Sequence, residues 1–215
     1  MKIITIQPSD KTGTQYRLTN EAGKTFELSA EVLFKRNLKP ESEIDEGELL
    51  ALMAEDARIK AKNQALRLLD FRMRTVAEVR EKLAGQGFAK AVIADTITSL
   101  EDYGFLNDAE YARLYIKDKL ASAGKHKLSY DLLNKGIDPA TVKAALEGTA
   151  EDEELAACYN LAYKKYVTLK TREMEEGKLK EKVYRYLIGK GYSYDLIKQA
   201  YAAVIAKTND EIDLT

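Results

Sequence analysis

The stretch KLAGQGFAKAVI, residues 82–93, sets Gly85 and Gly87 inside a run of otherwise good helix formers. Paired glycines ahead of a helix suggest a loop that wraps a phosphate. A dinucleotide fingerprint, however, needs glycine or alanine three residues past Gly87, where Lys90 stands. It also needs a strand before the glycines, and VAEVREKLAG reads as helix. The pair therefore reads as a corner between helices. Elsewhere the means for catalysis are thin. One histidine, His126, and one cysteine, Cys158, rule out a zinc site with several His and Cys ligands from this chain. As a nucleophile pair they lack an orienting third group, so Cys158 reads as a small buried residue and His126 as an exposed loop residue. A site made of carboxylates alone stays open. Asn107 and Asp108 look like a ligand pair only out of context: Asn107-x-x-Glu110 is a capping box, and an acid at the next position suits the helix dipole.

Binding chemistry is better supplied. Arg72 and Arg74 fall in a break, DFRMRT, between two helical segments. Two readings are open. Their forked guanidinium groups meet carboxylates or phosphates of a partner, or they satisfy carbonyls at the preceding helix end and pair with Asp70 or Glu78. Arg80 and Lys82 flank the apolar pair Val79 and Leu83, either rimming a groove or lying over the core. Between Lys164 and Lys190 stand nine basic residues, at 164, 165, 170, 172, 178, 180, 182, 185 and 190, and four glutamates, a balance of +5 in a chain of net charge −1. Lys164, Lys165, Lys180, Lys182 and Arg185 are the candidates there for nucleic-acid phosphates, with solvated helix faces as the other reading. Eight of the 13 tyrosines crowd the last third of the chain, at 159, 163, 166, 184, 186, 192, 194 and 201. They are either bases' stacking partners or, at the spacing 159, 163, 166, a helical core stripe.

The elements that must position these groups come in two kinds. KIITI, QYRLT and KTFELS are short, β-branched or aromatic, and separated by turn residues; they predict a small antiparallel sheet of about three strands confined to residues 2–30. So small a sheet needs a cover, part of it supplied by AEVLFKRN. After a loop over LKPESEID everything reads as helix. Capping boxes Asp45-x-x-Glu48 and Thr75-x-x-Glu78 and the pair Asp138-Pro139 mark helix starts. Glycines 104, 124, 136 and 148 mark helix stops, as left-handed positions.

Aligned on Gly87, Gly136 and Gly191, the chain repeats. Val79, Leu128 and Val183 stand eight residues before the glycine, and Leu83, Leu132 and Leu187 four before. Phe88, Ile137 and Tyr192 stand one after, Ile93, Val142 and Ile197 six after, and Ile97, Leu146 and Tyr201 ten after. This is an internal repeat of helix, glycine turn and helix, completed by a preceding helix at 46–69, 108–123 or about 152–175. Such units stack to bury a core. The expected organisation is a β-rich module at 1–40, helical repeats at 41–104, 105–148 and 149–208, and a tail at 209–215. No apolar run of about 18 residues predicts a membrane span, the N-terminal apolar run is too short for a signal peptide, and one cysteine fits a reducing cytoplasm.

Two stretches then carry a family resemblance: Phe71-Arg72-Met73-Arg74-Thr75 followed by Glu78-Val79, and Tyr103-Gly104-Phe105-Leu106-Asn107-Asp108 followed by Tyr111-Ala112. With LLNKGI at 132–137 they resemble the RecX family, bacterial regulators that bind RecA recombinase filaments. The resemblance covers residues 60–147 well and the last third only through the repeat. It implies three tandem three-helix repeats in a curved array lying in the filament groove, inhibiting strand exchange and coprotease activity, with no catalytic site, cofactor or metal. The expected protein is a cytoplasmic monomer acting in DNA repair and the SOS response. The RecA filament is the expected partner, with weak DNA contact beside it and no membrane; the alternative function is that of a nucleic-acid-binding helical module acting directly on single-stranded DNA. Arg72, Arg74, Arg80, Lys82, Lys125 and Lys127 are the side chains expected at RecA. One departure stands at GKHKLSYDLL, where the family often carries Gly followed by a proline- or arginine-rich segment and this chain has Gly124, Lys125, His126 and Lys127; the charge is kept but not the bidentate fork of arginine.

Overall fold

The computed structural model describes residues 1–171 and 175–213, with side chains described through residue 209. The order is β1 (Ile3–Pro8), β2 (Gln15–Asn20), β3 (Thr25–Ser29), α1 (Ala30–Lys35), α2 (Glu46–Phe71), α3 (Val76–Gly85), α4 (Lys90–Asp102), α5 (Asp108–Lys119), α6 (Lys125–Asn134), α7 (Pro139–Glu147), α8 (Glu151–Lys170), α9 (Glu176–Gly189) and α10 (Tyr194–Asp213). Helices grouped by threes follow a small sheet, as the repeat predicts. The chain forms two compact units, Met1–Arg74 with Glu78–Leu106, and Thr75–Ala77 with Asn107 onward.

In the first unit the strands form an antiparallel meander in the order β1-β2-β3. Ile3, Leu18 and Leu28 on its inner face are buried with Val32 and Leu33 of α1 and Leu52 of α2. The cover is thus shared, because one six-residue helix is too short for the sheet. Asp56 of α2, 5 % exposed, holds the seam: its carboxylate accepts from the Ser29 N–H at 2.6 Å and from Lys60 at 2.7 Å. On the far side of the same seam Glu55 accepts from Lys35 at 2.7 Å and from Arg36. These hydrogen bonds, the Lys35 one first, hold the Glu55 carboxyl below its ordinary range. A depressed carboxyl stabilises the fold above its unfolded pKa, and that contribution is lost as pH falls through the lower folded value. The melting temperature is therefore expected to drop as pH is lowered below about 4, and Glu55→Gln should make the drop shallower. Equal slopes for wild type and variant would refute the role of this carboxylate.

Within each repeat the first helix lies against the third: α2 on α4, α5 on α7, α8 on α10. Val79, Leu83, Leu128, Leu132, Val183 and Leu187, the positions eight and four before each corner, are all 0 % exposed. Gly87, Gly136 and Gly191 have φ of 85°, 79° and 86°, the left-handed region in which glycine alone escapes a Cβ penalty. Asp45 accepts from the Glu48 N–H, Asn107 from that of Glu110, and Asp138 from those of Ala140 and Thr141.

The structure differs from expectation at several points. Only Gly104 and Gly136 of the four expected stops are left-handed. Gly148 ends α7 at φ −69°. Gly124 caps the start of α6 at φ −81°, where a Cβ would come within 2.5 Å of the Gly191 carbonyl oxygen; close approach, not handedness, demands glycine there. α5 stops at Lys119 rather than 123, since Leu120–Ala123 turns to deliver Gly124 to that contact. α8 ends at Lys170. His126 is exposed but lies in the first turn of α6, not in a loop. Arg172 and Glu173 lie outside the described residues, as does the far end of the tail.

Candidate partner-binding surface

In the first unit α2 ends at Phe71, and the next residue, Arg72, is fully extended. Helix ends leave carbonyls without partners, and the last turn of α2 has no basic residue of its own. Arg74 reaches back and donates from Nε to the Leu68 carbonyl at 2.9 Å. Arg72 donates to the Met73 carbonyl at 3.0 Å and pairs with Glu78 at 3.0 Å. Both arginines therefore hold the break together, while the Arg72 side chain stays half-exposed at 50 %. Arg80 and Lys82 are exposed on α3 and make no ion pair among the described residues.

The same unit exposes apolar side chains that the apolar stripes do not use. Phe71 is 86 % exposed, Tyr103 68 %, Phe105 56 % and Met73 47 %. Tyr103 and Phe105 flank left-handed Gly104 with ring centroids 6.4 Å apart, and Lys62 Nζ stands 4.6 Å from the Tyr103 ring. Residue-by-residue reading singled out the arginines of this break and missed the exposed aromatics of the same unit. Their signal was a mismatch: Phe71 and Phe105 fall outside the stripe positions that a core requires.

In the second unit, Lys125 is engaged from both ends. Its backbone N–H donates to Glu154 Oε1 at 2.8 Å, and its ammonium group donates to the Thr149 carbonyl at 3.1 Å. Lys127 stands 3.5 Å from Asp131. Lys165 lies over Tyr186 and Lys180 over Tyr184, 5.2 and 5.5 Å from the ring centroids. Arg185 pairs with Glu181 one turn earlier. Lys164 and Lys182 are exposed with no ion pair among the described residues. The tyrosines are mostly core. Tyr166 and Tyr192 are buried, and Tyr159, Tyr163, Tyr184, Tyr186 and Tyr201 pack against the same cluster. Burial pushes the Tyr201 hydroxyl up to about 12. Tyr194 is the outlier at 62 % exposed. With Tyr184, Ile188, Lys180 and Arg185 it lines a hollow of about 430 Å³. Cys158 is fully buried, and desolvation raises its thiol to about 12, far from a reactive thiolate.

Among the described residues no group of three or more His, Cys, Asp or Glu side chains is placed to hold a metal ion, and no helix is long and apolar enough to cross a membrane. Family models describing the first, second and third three-helix domains of RecX match residues 61–100, 107–146 and 151–201. The chain belongs to the RecX family. The third match covers the region where the sequence motifs gave only the repeat. The Regulatory protein RecX of Clostridium perfringens is 36 % identical over 194 residues, covering 90 % of this chain and 92 % of that one. Its counterpart in Clostridium beijerinckii is 35 % identical over 211 residues, 98 % of each, so that similarity takes in the N-terminal sheet. The crystal structure of RecX from Lactobacillus salivarius superposes with a TM-score of 0.66 at 26 % identity, covering 71 % of this chain and 99 % of that chain.

Proposed function

We propose that this protein regulates the RecA recombinase by binding along the groove of its filament, blocking or destabilising the filament and so inhibiting strand exchange and coprotease activity. The observation that carries the reading is the run of three RecX three-helix domains in chain order. A row of helical units offers several modest contacts along a long groove rather than one deep pocket. The contact units are the repeats at 41–104, 105–148 and 149–208, and the action is that of a cytoplasmic monomer that binds without a chemical step. Arg80 and Lys82 present exposed cations to it, Arg72 its half-exposed fork, and the exposed Phe71, Tyr103 and Phe105 add apolar area. Lys125 and Lys127 contribute charge more than direct reach. The test is RecA-dependent ATP hydrolysis on single-stranded DNA, with RecA of the same organism and this protein titrated in. Hydrolysis is expected to fall; hydrolysis that stays level would overturn the reading.

A second reading, direct binding of single-stranded DNA, is favoured by the hollow around Tyr194, whose exposed ring offers a base a stacking face beside Lys180 and Arg185. With Lys165 and Lys180 over tyrosines and Arg185 paired, few phosphate contacts remain. Dissociation constants of about 10⁻⁴–10⁻⁶ M with steep salt dependence are expected. Affinity that ignores salt between low and physiological concentration would rule out this surface as a phosphate site.

A further inference from the structure

The second unit makes one kind of joint twice. At the first, Thr75 Oγ donates to the Lys135 carbonyl at 2.8 Å and the Val76 N–H to Asp108 Oδ1 at 2.9 Å. A Cβ on Gly136 would fall 2.3 Å from the Ala77 Cβ. At the second, the Gly124 N–H donates to the Lys190 carbonyl at 2.9 Å, the His126 N–H to the Gly191 carbonyl at 3.2 Å, and the Lys125 N–H to Glu154. A Cβ on Gly191 would fall 2.5 Å from Lys127 N. Val76 and Lys125 occupy equivalent places, each eleven residues before its own corner glycine. In both, the start of one helix seats on the glycine corner of another and donates to its carbonyls, through the Thr75 hydroxyl at the first joint and through backbone N–H groups at the second; the missing Cβ leaves room for the Ala77 side chain in one and the Lys127 backbone in the other.

The third corner, Gln86–Gly87, has the same backbone, with φ 85° at Gly87. It has no such occupant. A Cβ on Gly87 would meet nothing within 4 Å, and no donor among the described residues reaches the Gln86 or Gly87 carbonyl. We infer that this corner is a docking site for the N-terminal turn of a helix on the protein partner, bearing free N–H groups and a small residue. A second copy of this chain does not fit. The position eleven before Gly191 is Lys180, which lies inside α9, and the first turn of α9 instead begins with Glu175 and Glu176. Those carboxylates would face carbonyl oxygens.

The inference rests on RecA being the partner, and the experiment separates the two. Gly87→Asn keeps a residue that tolerates the left-handed conformation but fills the corner. Its thermal melt is expected to match wild type, while half-inhibition of RecA-dependent ATP hydrolysis needs at least about tenfold more protein, about 1.4 kcal/mol. A separate variant, Gln86→Cys, carries an environment-sensitive fluorophore; Cys158 is buried, so the label goes to position 86. Its emission is expected to shift when RecA filaments are added. Equal inhibition by wild type and Gly87→Asn, or unchanged emission, overturns the corner assignment and leaves the functional reading standing. No inhibition by wild type removes both. Concentration-dependent self-association that Gly87→Asn abolishes would show the occupant to be a second copy and overturn the assignment to a partner helix.

Discussion

Gly191→Ala is expected to destabilise the second unit by roughly 2–5 kcal/mol. Two penalties add. An L-residue at φ 86° costs about 1–2 kcal/mol against glycine. The new Cβ would then lie 2.5 Å from the Lys127 N and Cβ and 2.9 Å from its Cα. That obstacle is backbone, not a side-chain tip that can swing away, and overpacking of this kind costs about 1–3 kcal/mol. Gly136→Val should follow, well above about 1 kcal/mol, since the Ala77 Cβ stands 2.3 Å from the new atom and β-branching adds bulk. Gly87→Ala is the control: the same φ class and open space, so about 1–2 kcal/mol at most. Urea unfolding of the three variants measures this order. Equal losses at all three glycines would show that handedness alone matters and that the joints add nothing.

That order also marks how far the sequence can be read. The apolar offsets around Gly87, Gly136 and Gly191 are local, because a helix turns the same face inward every third or fourth residue, and they led directly to buried Val79, Leu128 and Val183. Short β-branched segments and Asx caps are local too. What a helix end meets in three dimensions is not local. Asp108 was read as an acid suited to its own helix dipole, yet its carboxylate accepts from Val76 of another helix. Gly124 was read as a stop and is a contact point. Lys125, which the family resemblance places at a partner, also has contacts within the unit, to Glu154 and Thr149. For Asp108 and Gly124 a spacing rule identified the residue and tertiary packing chose its job. The exposed aromatics Phe71, Tyr103 and Phe105 were visible as motif letters. Their surface placement follows only from which neighbours fill the core first.

Removing the charges of Arg80 and Lys82 together is expected to weaken RecA inhibition about tenfold, which is about 1.4 kcal/mol. Both side chains are exposed on α3 and make no ion pair among the described residues, so the melt of Arg80→Ala/Lys82→Ala should not move. Arg72→Ala/Arg74→Ala is the more telling double variant. On the bare sequence these residues sit off the apolar stripe, and a tenfold loss of inhibition with an intact fold is the simple expectation. The structure changes half of that. Without Arg74 the Leu68 carbonyl loses its donor, and without Arg72 Glu78 loses a cation. A hydrogen bond to a charged group contributes about 1.5–3 kcal/mol, and an exposed ion pair at most about 1. The double variant should thus lose stability as well as inhibition. Inhibition of strand exchange, measured beside circular dichroism melts at a temperature where every variant is folded, separates the two effects. If Arg80→Ala/Lys82→Ala inhibits as wild type does while Arg72→Ala/Arg74→Ala is impaired only in its melt, the cations of the first repeat are structural. Under the proposed groove binding, the contact would then be expected at the exposed aromatics and the second unit.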